Sequence, residues 1–494
     1  MDTFLHILKV IGLILLVLLS FNIIIFVHEL GHFLAAKWRG LHVEKFQIWF
    51  GKPIWKKTIK GVQYGLGSIP AGGFVSLPQM APMEAIEGNN DERSEPLPPI
   101  TPMDKIIVAF AGPLFSFLLA VVAAVIISNI GVPDKVTATQ TVGYVVKGDK
   151  AEQAGFKVGD KIIKIQGEEV NGFRGNLNAI SESIIFSEGD KIDFLVEREN
   201  QQTKETEQLT LTSEFNMEKG TFTQRRGTRK IGIGAADTLI INVIQPGSPA
   251  SISDFKKDDL IKAINGIKIY SLGQYMDILK ENTDKVITVT VIRDGESIDV
   301  KTMPLIPSNK WKTHDKAELL PMLGIEKFQQ EERKLVYPTP GKQLKESGMM
   351  MWTTVSRLVS SSSSIGPDQL SGPVGIGKVQ YQMLNSEFPI NYIFYFWVIF
   401  NVNLAIFNLL PFPVLDGGHI TMAVAEMIRK KPLNTRMLEA VQTVCVLLLL
   451  SMFVYVTIKD SFHKDEEYTT KTIPKEGPVY DLSAAKIALG KSNT

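Results

Sequence analysis

The sequence is poor in the features that mark small secreted proteins and nucleic-acid binders. Its 494 residues include one cysteine, Cys445, which lies in an apolar run. Without a second thiol there is no intrachain disulfide framework, so the fold does not depend on an oxidising compartment. Neither sign of charge is in excess: 53 Lys and Arg stand against 52 Asp and Glu, a formal net charge of +1. That balance gives no electrostatic case for a nucleic-acid partner. The N-terminus also lacks the parts of a cleaved signal peptide. Its charged start is weak, Lys9 and His6 against Asp2, and no small-residue cleavage site follows the apolar run. A retained span is expected there.

What the chain does have is apolar blocks. Four of them, at about 7–36, 106–130, 392–410 and 438–458, approach the roughly 20 residues a helix needs to cross a bilayer. Lys37, Arg39, Lys45, Lys52, Lys56, Lys57 and Lys60 follow the first block, and Arg429, Lys430, Lys431 and Arg436 follow the third. An excess of Lys and Arg marks cytoplasmic connections. The N-terminus, the large middle region and the C-terminal tail are then expected outside.

The first block runs into Phe26-Val27-His28-Glu29-Leu30-Gly31-His32-Phe33. Residues four apart share one face of a helix, so His28 and His32 can aim ring nitrogens at one metal ion. Glu29 lies about 100° round the helix. From there its carboxylate reaches a water at the metal without being a ligand. This is the H-E-x-x-H arrangement of zinc peptidases, in which zinc acidifies water and the glutamate accepts its proton. In hydrocarbon each such polar group costs free energy unless it is paired or ligated, which argues against a purely structural origin. His6, His42, His314 and His463 have no partner at ligand spacing.

Between the first two blocks, the glycine-rich stretch from Gly65 to Leu77 alternates and is too short to span. A re-entrant hairpin fits it, because irregular backbone is tolerated at membrane depth where protein covers it. Its strand edge could then pair with an extended peptide. A surface hairpin is the other reading. Residues 81–104, rich in Pro, Glu and Asn, suggest a flexible connection. Ala111-Gly112-Pro113 opens the second block with small residues that allow close helix packing.

The middle region, from about 135 to 345, contains a repeat. Gly159-Asp160-Lys161-Ile162-Ile163-Lys164-Ile165-Gln166-Gly167 aligns with Asp258-Asp259-Leu260-Ile261-Lys262-Ala263-Ile264-Asn265-Gly266, and Ile192–Arg198 with Ile287–Arg293. Two tandem α+β modules are expected. Both resemble PDZ domains in the circularly permuted form, the second less closely because Asp258 replaces the glycine. The loops Ile231–Gly234 and Met322–Ile325 are candidates for holding a peptide end. Whether these grooves bind peptide or act by packing stays open. Residues 346–390, with a serine run at 360–364 and Ser371-Gly372-Pro373-Val374-Gly375-Ile376-Gly377, are expected to form an amphipathic helix and then a loop at the outer membrane surface.

The third block carries Asn401, Asn403 and Asn408 and ends in Pro411-Phe412-Pro413-Val414-Leu415-Asp416-Gly417-Gly418-His419. Prolines stop the helix, and Asp416 is expected at the depth of His28 and His32. A carboxylate there completes three protein ligands and leaves the fourth zinc position open. Asp416 could instead cap a helix starting near His419. His419 as a fourth ligand would fill the open position, so it is left out. Asn408 could satisfy helix backbone or hold a substrate peptide.

Together, His28 to His32, the glycine-rich stretch, Gly112-Pro113, the two PDZ-like units and Asn408 to Gly418 resemble the site-2 proteases, zinc intramembrane metalloproteases, and among them the bacterial RseP-like branch. The resemblance covers about residues 5–460. It implies one Zn2+ held by His28, His32 and Asp416, Glu29 as catalytic base, and Asn408, Gly72 and Gly73 near substrate. The fold it implies is a multi-pass α-helical membrane protein of about four transmembrane helices with a re-entrant β-hairpin, plus two α+β PDZ-like extracytoplasmic domains. The expected division is a membrane core at 1–134, PDZ-like domains at 135–237 and 238–335, an outer connector at 336–390, a second membrane part at 391–460 and a tail at 461–494, within which Tyr480 to Leu489 is either a weak helix or disordered. The expected place is the bacterial inner membrane. The expected partners are single-span membrane protein substrates, an upstream site-1-type protease and the lipid bilayer, with no nucleic acid. Against this stand a catalytically inactive PDZ scaffold and an ion transporter; the latter gives no reason for H-E-x-x-H.

Overall fold

The computed structural model describes residues 2–80, 99–134, 137–200, 203, 205–219, 226–308, 320–328, 335–431, 435–462 and 478–491. His314, His463 and most of the expected 81–104 connection lie outside them. The chain opens with α1 (Asp2–Arg39), an uninterrupted helix that carries His28, Glu29 and His32. A four-stranded sheet follows: β1 (Lys45–Phe50), β2 (Trp55–Ile59), β3 (Val62–Leu66) and β4 (Ile69–Ser76). Then comes α2 (Pro102–Ile130), whose start is set by Pro102 and by a capping box in which Thr101 and Asp104 satisfy each other's backbone N–H groups. This places its first turn four residues ahead of the expected apolar block. The helix continues through Pro113.

The expected re-entrant hairpin is corrected by the strand pairing. The strand order is β2-β3-β1-β4, so β3 and β4, although joined by a tight turn, lie on opposite sides of β1. β1 pairs parallel with β3 and antiparallel with β4. The missing partner was residues 45–50, whose apolar pattern alone does not tell strand from helix end. β4 becomes an edge strand, and it packs against α1.

After β5 (Val132–Pro133) the chain builds two sheet units of six strands each in matching order, with a 3-10 turn at Ala250–Ile252 in the second where the first has a short helix. The first runs β6 (Val142–Val145), α3 (Lys150–Gln153), β7 (Lys161–Ile165), β8 (Glu168–Glu169), α4 (Ile180–Ile185), β9 (Lys191–Glu199), β10 (Thr206–Glu214) and β11 (Ile233–Ala235). The second runs β12 (Leu239–Ile244), β13 (Leu260–Ile264), β14 (Ile267–Lys268), α5 (Leu272–Glu281), β15 (Ile287–Arg293), β16 (Glu296–Thr302) and β17 (Ile325–Phe328). Each has its own apolar core, one around Phe194, Ile162 and Ile180, the other around Ile241, Ile264 and Leu279.

The repeat has a structural reason. In the first unit Arg198 forks onto Asp160 at 2.7 and 2.8 Å and also reaches the Gly155 carbonyl. In the second, Arg293 does the same to Asp259, at 2.7 Å on both oxygens, and to the Asp254 carbonyl. The partnership raises both guanidinium pKa values, hydrogen bonding to the aspartate being the main cause. Gly159 and the Asp258 that replaces it both adopt positive φ, 98° and 72°. The departure in sequence is therefore absorbed without a change of backbone, since Asp tolerates the left-handed region better than most side chains.

β18 (Leu335–Val336) pairs with β5 and closes this region. Next come α6 (Pro340–Val359), α7 (Pro373–Leu384), α8 (Pro389–Asn408), α9 (Asp416–Arg429), α10 (Thr435–Phe462) and the short α11 (Ser483–Ala488). The expected loop at 371–377 is corrected: from Pro373 onward it is helix. Its N-terminus is stabilised from afar, Asp460 accepting the Gly375 N–H at 2.7 Å. No local signal announces such a cap. Inside the bundle, buried Gln380 of α7 and Trp397 of α8 both donate to Ser20 of α1.

Among the described residues, four helices are long and apolar enough to cross a membrane: Phe4–Arg39, Pro102–Ile130, Pro389–Asn408 and Ala440–Phe462. Leu15, Val122 and Leu447, each more than half exposed, show the kind of outward apolar surface that lipid would cover. The protein is a multi-pass membrane protein with two further sheet-based units.

Candidate metal centre

α1 presents His28 and His32 on one face, as the four-residue spacing requires. Asp416 comes from the far end of the chain. Pro411 and Pro413 end the run of α8, and the chain turns back into α9, whose first residue is Asp416 with Leu415 as N-cap. Asp416 is therefore inside the helix start and is not the cap residue.

These three side chains converge. His28 Nε2 lies 3.3 Å from His32 Nε2, and Asp416 lies 3.4 Å from each, using a different oxygen for each ring. A tetrahedral ion bound at about 2.0–2.1 Å separates its ligands by about 3.3–3.4 Å. The two ring nitrogens are thus spaced as two corners of a zinc tetrahedron, and the carboxylate sets one oxygen at that same distance from each of them. All three side chains are mostly buried, at 11, 12 and 19% exposure, where unpaired polar groups would be costly.

The outer ring nitrogens are held too. His32 Nδ1 lies 2.8 Å from the Val108 carbonyl. A carbonyl only accepts, so Nδ1 carries the proton and Nε2 keeps the lone pair a metal needs. His28 Nδ1 lies 2.9 Å from Ser116 Oγ, on a fully buried residue. Gly112 sits on the same stretch of α2, and a Cβ there would fall on the His32 ring. The small residue exists for the imidazole as well as for helix packing.

Glu29 lies within electrostatic reach of His28, His32 and Asp416. β4 passes directly beside it: a Cβ on Gly73 would stand 3.2 Å from Glu29 Cγ and 3.0 Å from Ile25. Gly72 has φ +69°, and a Cβ there would enter the Phe50 ring. The structure thus brings Gly73 to the glutamate, while Gly72 shapes the strand. Asn408 is the last residue of α8, with the 409–415 turn between it and Asp416. His419, on the next turn of α9, is buried, and its Nε2 has no hydrogen-bond partner among the described residues.

Four contributions were not legible beforehand. Ser116 and the Val108 carbonyl orient the rings. Lys105 of α2 reaches Glu426 of α9 at 2.8 Å, across 321 residues of chain, and so fixes the helix that delivers Asp416. Arg39 and Asp104, 2.7 Å apart, join the end of α1 to the start of α2. A serine three residues after Gly112-Pro113 was the one available hint.

A His-His-Asp cluster whose two histidines stand on a helix apolar enough to span a membrane, with a glutamate after the first histidine, is the donor set of a membrane metalloprotease. The model of Peptidase family M50 matches residues 16–452, and the chain belongs to that family, the site-2 proteases. It is similar to the Regulator of sigma E protease of Haemophilus influenzae, 25% identical over 454 residues, covering 90% of this chain and 97% of that one. It is similar in the same degree to the Regulator of sigma-E protease RseP of Salmonella typhimurium, 25% over 459 residues, covering 89% and 96%. A relative from Pasteurella multocida, 26% identical over 447 residues (89% of this chain and 96% of its own length), carries the words zinc metalloprotease in its name. The protein is a zinc metalloprotease.

Proposed function

We propose that this protease cuts a peptide bond within the transmembrane segment of single-span membrane proteins. The observation that carries the proposal is the meeting of His28, His32 and Asp416 on and beside helices apolar enough to span a bilayer. In this reading His28, His32 and Asp416 hold the zinc. When bound, zinc supplies Lewis acidity, which brings the pKa of water down to about 7 and polarises a carbonyl. Glu29 takes the proton of the attacking water and hands it to the leaving amine. The Val108 carbonyl and Ser116 keep the rings oriented.

A substrate helix hides its amide groups, so it must unwind before cleavage. β4 is an edge strand beside Glu29, and its open edge offers the backbone donors and acceptors that an unwound segment loses. Gly72 and Gly73 let that strand approach closely, and Asn408 hydrogen-bonds substrate backbone near the Asp416 turn. The two sheet units, 135–237 and 238–335, act as PDZ-like extracytoplasmic domains in the bacterial inner membrane and screen out bulky ectodomains. An upstream site-1-type protease then trims the substrate first. The names of the relatives support regulated proteolysis such as anti-sigma factor cleavage, with clearance of signal-peptide remnants as an alternative substrate class.

The test compares membrane-protein fragments that accumulate with wild type and with Glu29→Gln. The variant should fold, retain zinc and leave trimmed substrates intact. Normal turnover by Glu29→Gln refutes the catalytic role. A protein that binds no zinc would point instead to an inactive scaffold.

A further inference from the structure

Residues 478–491 take no part in the chemistry above. They lie beyond the fourth spanning helix and beyond the family match, yet they are firmly packed on the second sheet unit. The Pro478 carbonyl accepts Gln245 Nε2 at 2.5 Å. The Val479 carbonyl accepts the Ser308 N–H at 2.7 Å and the Ser308 hydroxyl at 3.0 Å. Tyr480 and Ala485 are buried with Met303 and Leu305 in one apolar cluster, which Ile252, Met322 and Leu482 complete. Asp481 accepts the Ser483 N–H at 3.0 Å and so starts α11.

Its position makes this surface more than a resting place. Met322 begins the Met322–Ile325 loop, the second unit's candidate for holding a peptide end. The tail therefore packs on the start of that loop. Its other end is anchored at the membrane. Asp460, 2% exposed near the end of α10, holds Gly375, and its carbonyl accepts Lys378 Nζ at 2.8 Å.

We propose that residues 478–491 are a built-in ligand of the second sheet unit, and that the surface formed by Gln245, Ile252, Met303, Leu305, Ser308 and Met322 is a peptide-docking site. Its ligand chemistry is an extended Pro-Val-Tyr segment followed by a short Leu- and Ala-faced helix. The tail tethers the unit to the outer end of α10. A covalently linked ligand acts at an effective concentration on the order of mM, so an outside peptide of equal strength is excluded until it reaches that range.

Two measurements on the full-length protein in membranes test this. In Ser308→Cys/Val479→Cys, mild oxidation should form the cross-link readily, and adding Tyr480→Glu should suppress it. A pair that cross-links no faster than in denaturant, or that ignores Tyr480→Glu, overturns the docking. A labelled peptide of residues 478–491 should bind full-length Tyr480→Glu at least about tenfold more tightly than wild type. Equal binding to both, or binding to neither, overturns the claim of an exclusive peptide site. Zinc content and Glu29 chemistry are untouched by either variant, so failure here leaves the proposed cleavage standing.

Discussion

Ser116→Ala isolates the cost of losing the group that orients a proposed metal ligand. Ser116 is fully buried, and its hydroxyl is 2.9 Å from His28 Nδ1. Truncation removes one oxygen, leaves the helix backbone intact and puts no new atom near the rings. The Nδ1–H is then left buried without a partner, a loss of about 1–3 kcal/mol. Outer partners of metal-bound histidines are typically worth about 10–100-fold in metal affinity, or about 1.4–2.8 kcal/mol, so the two routes agree. The assay is chelator competition on purified protein, reading zinc retained and not activity. Val108→Ala is the control, because His32 uses the Val108 carbonyl, which that substitution keeps. The expected result is a marked loss of zinc affinity for Ser116→Ala and none for Val108→Ala. Affinities for Ser116→Ala within about twofold of wild type would refute the orienting role.

Asp416→Asn should lose zinc, measured by metal analysis, while helix content by circular dichroism is kept; retention of full stoichiometry would remove Asp416 from the ligand set. Gly73→Val drives a side chain against Glu29 and Ile25, so cleavage should fall on the order of 100-fold with zinc still bound. Near-normal cleavage by that variant would mean β4 does not line the reaction. Arg293→Ala leaves Asp259 buried and unpaired, and should destabilise the second sheet unit by about 3 kcal/mol, the lower end for a buried pair because Arg293 is partly exposed. Thermal melting should show an early transition confined to that unit, and an unchanged profile would contradict the structural role of the Asp–Arg fork.

The chain alone carried the spanning helices, the repeat and the ligand types. Each of these rests on periodicity or composition, which sequence displays directly: 20-odd apolar residues, a four-residue histidine spacing, an offset that pairs Asp160 with Asp259. Pro411 and Pro413 likewise announced that a helix stops ahead of Asp416. Tertiary structure decided everything that depends on groups far apart in the chain. It inserted β1 between β3 and β4, because register is a competition among strands that no single strand records. It turned the glycine-rich stretch after Gly372 into α7 through a carboxylate 85 residues away. It brought Asp416 to 3.4 Å from two imidazoles and supplied Ser116 and Lys105 to hold the arrangement. Ligand identity is a local property of residues, whereas ligand geometry is a property of packed helices, and only the second sets whether three donors stand at zinc spacing.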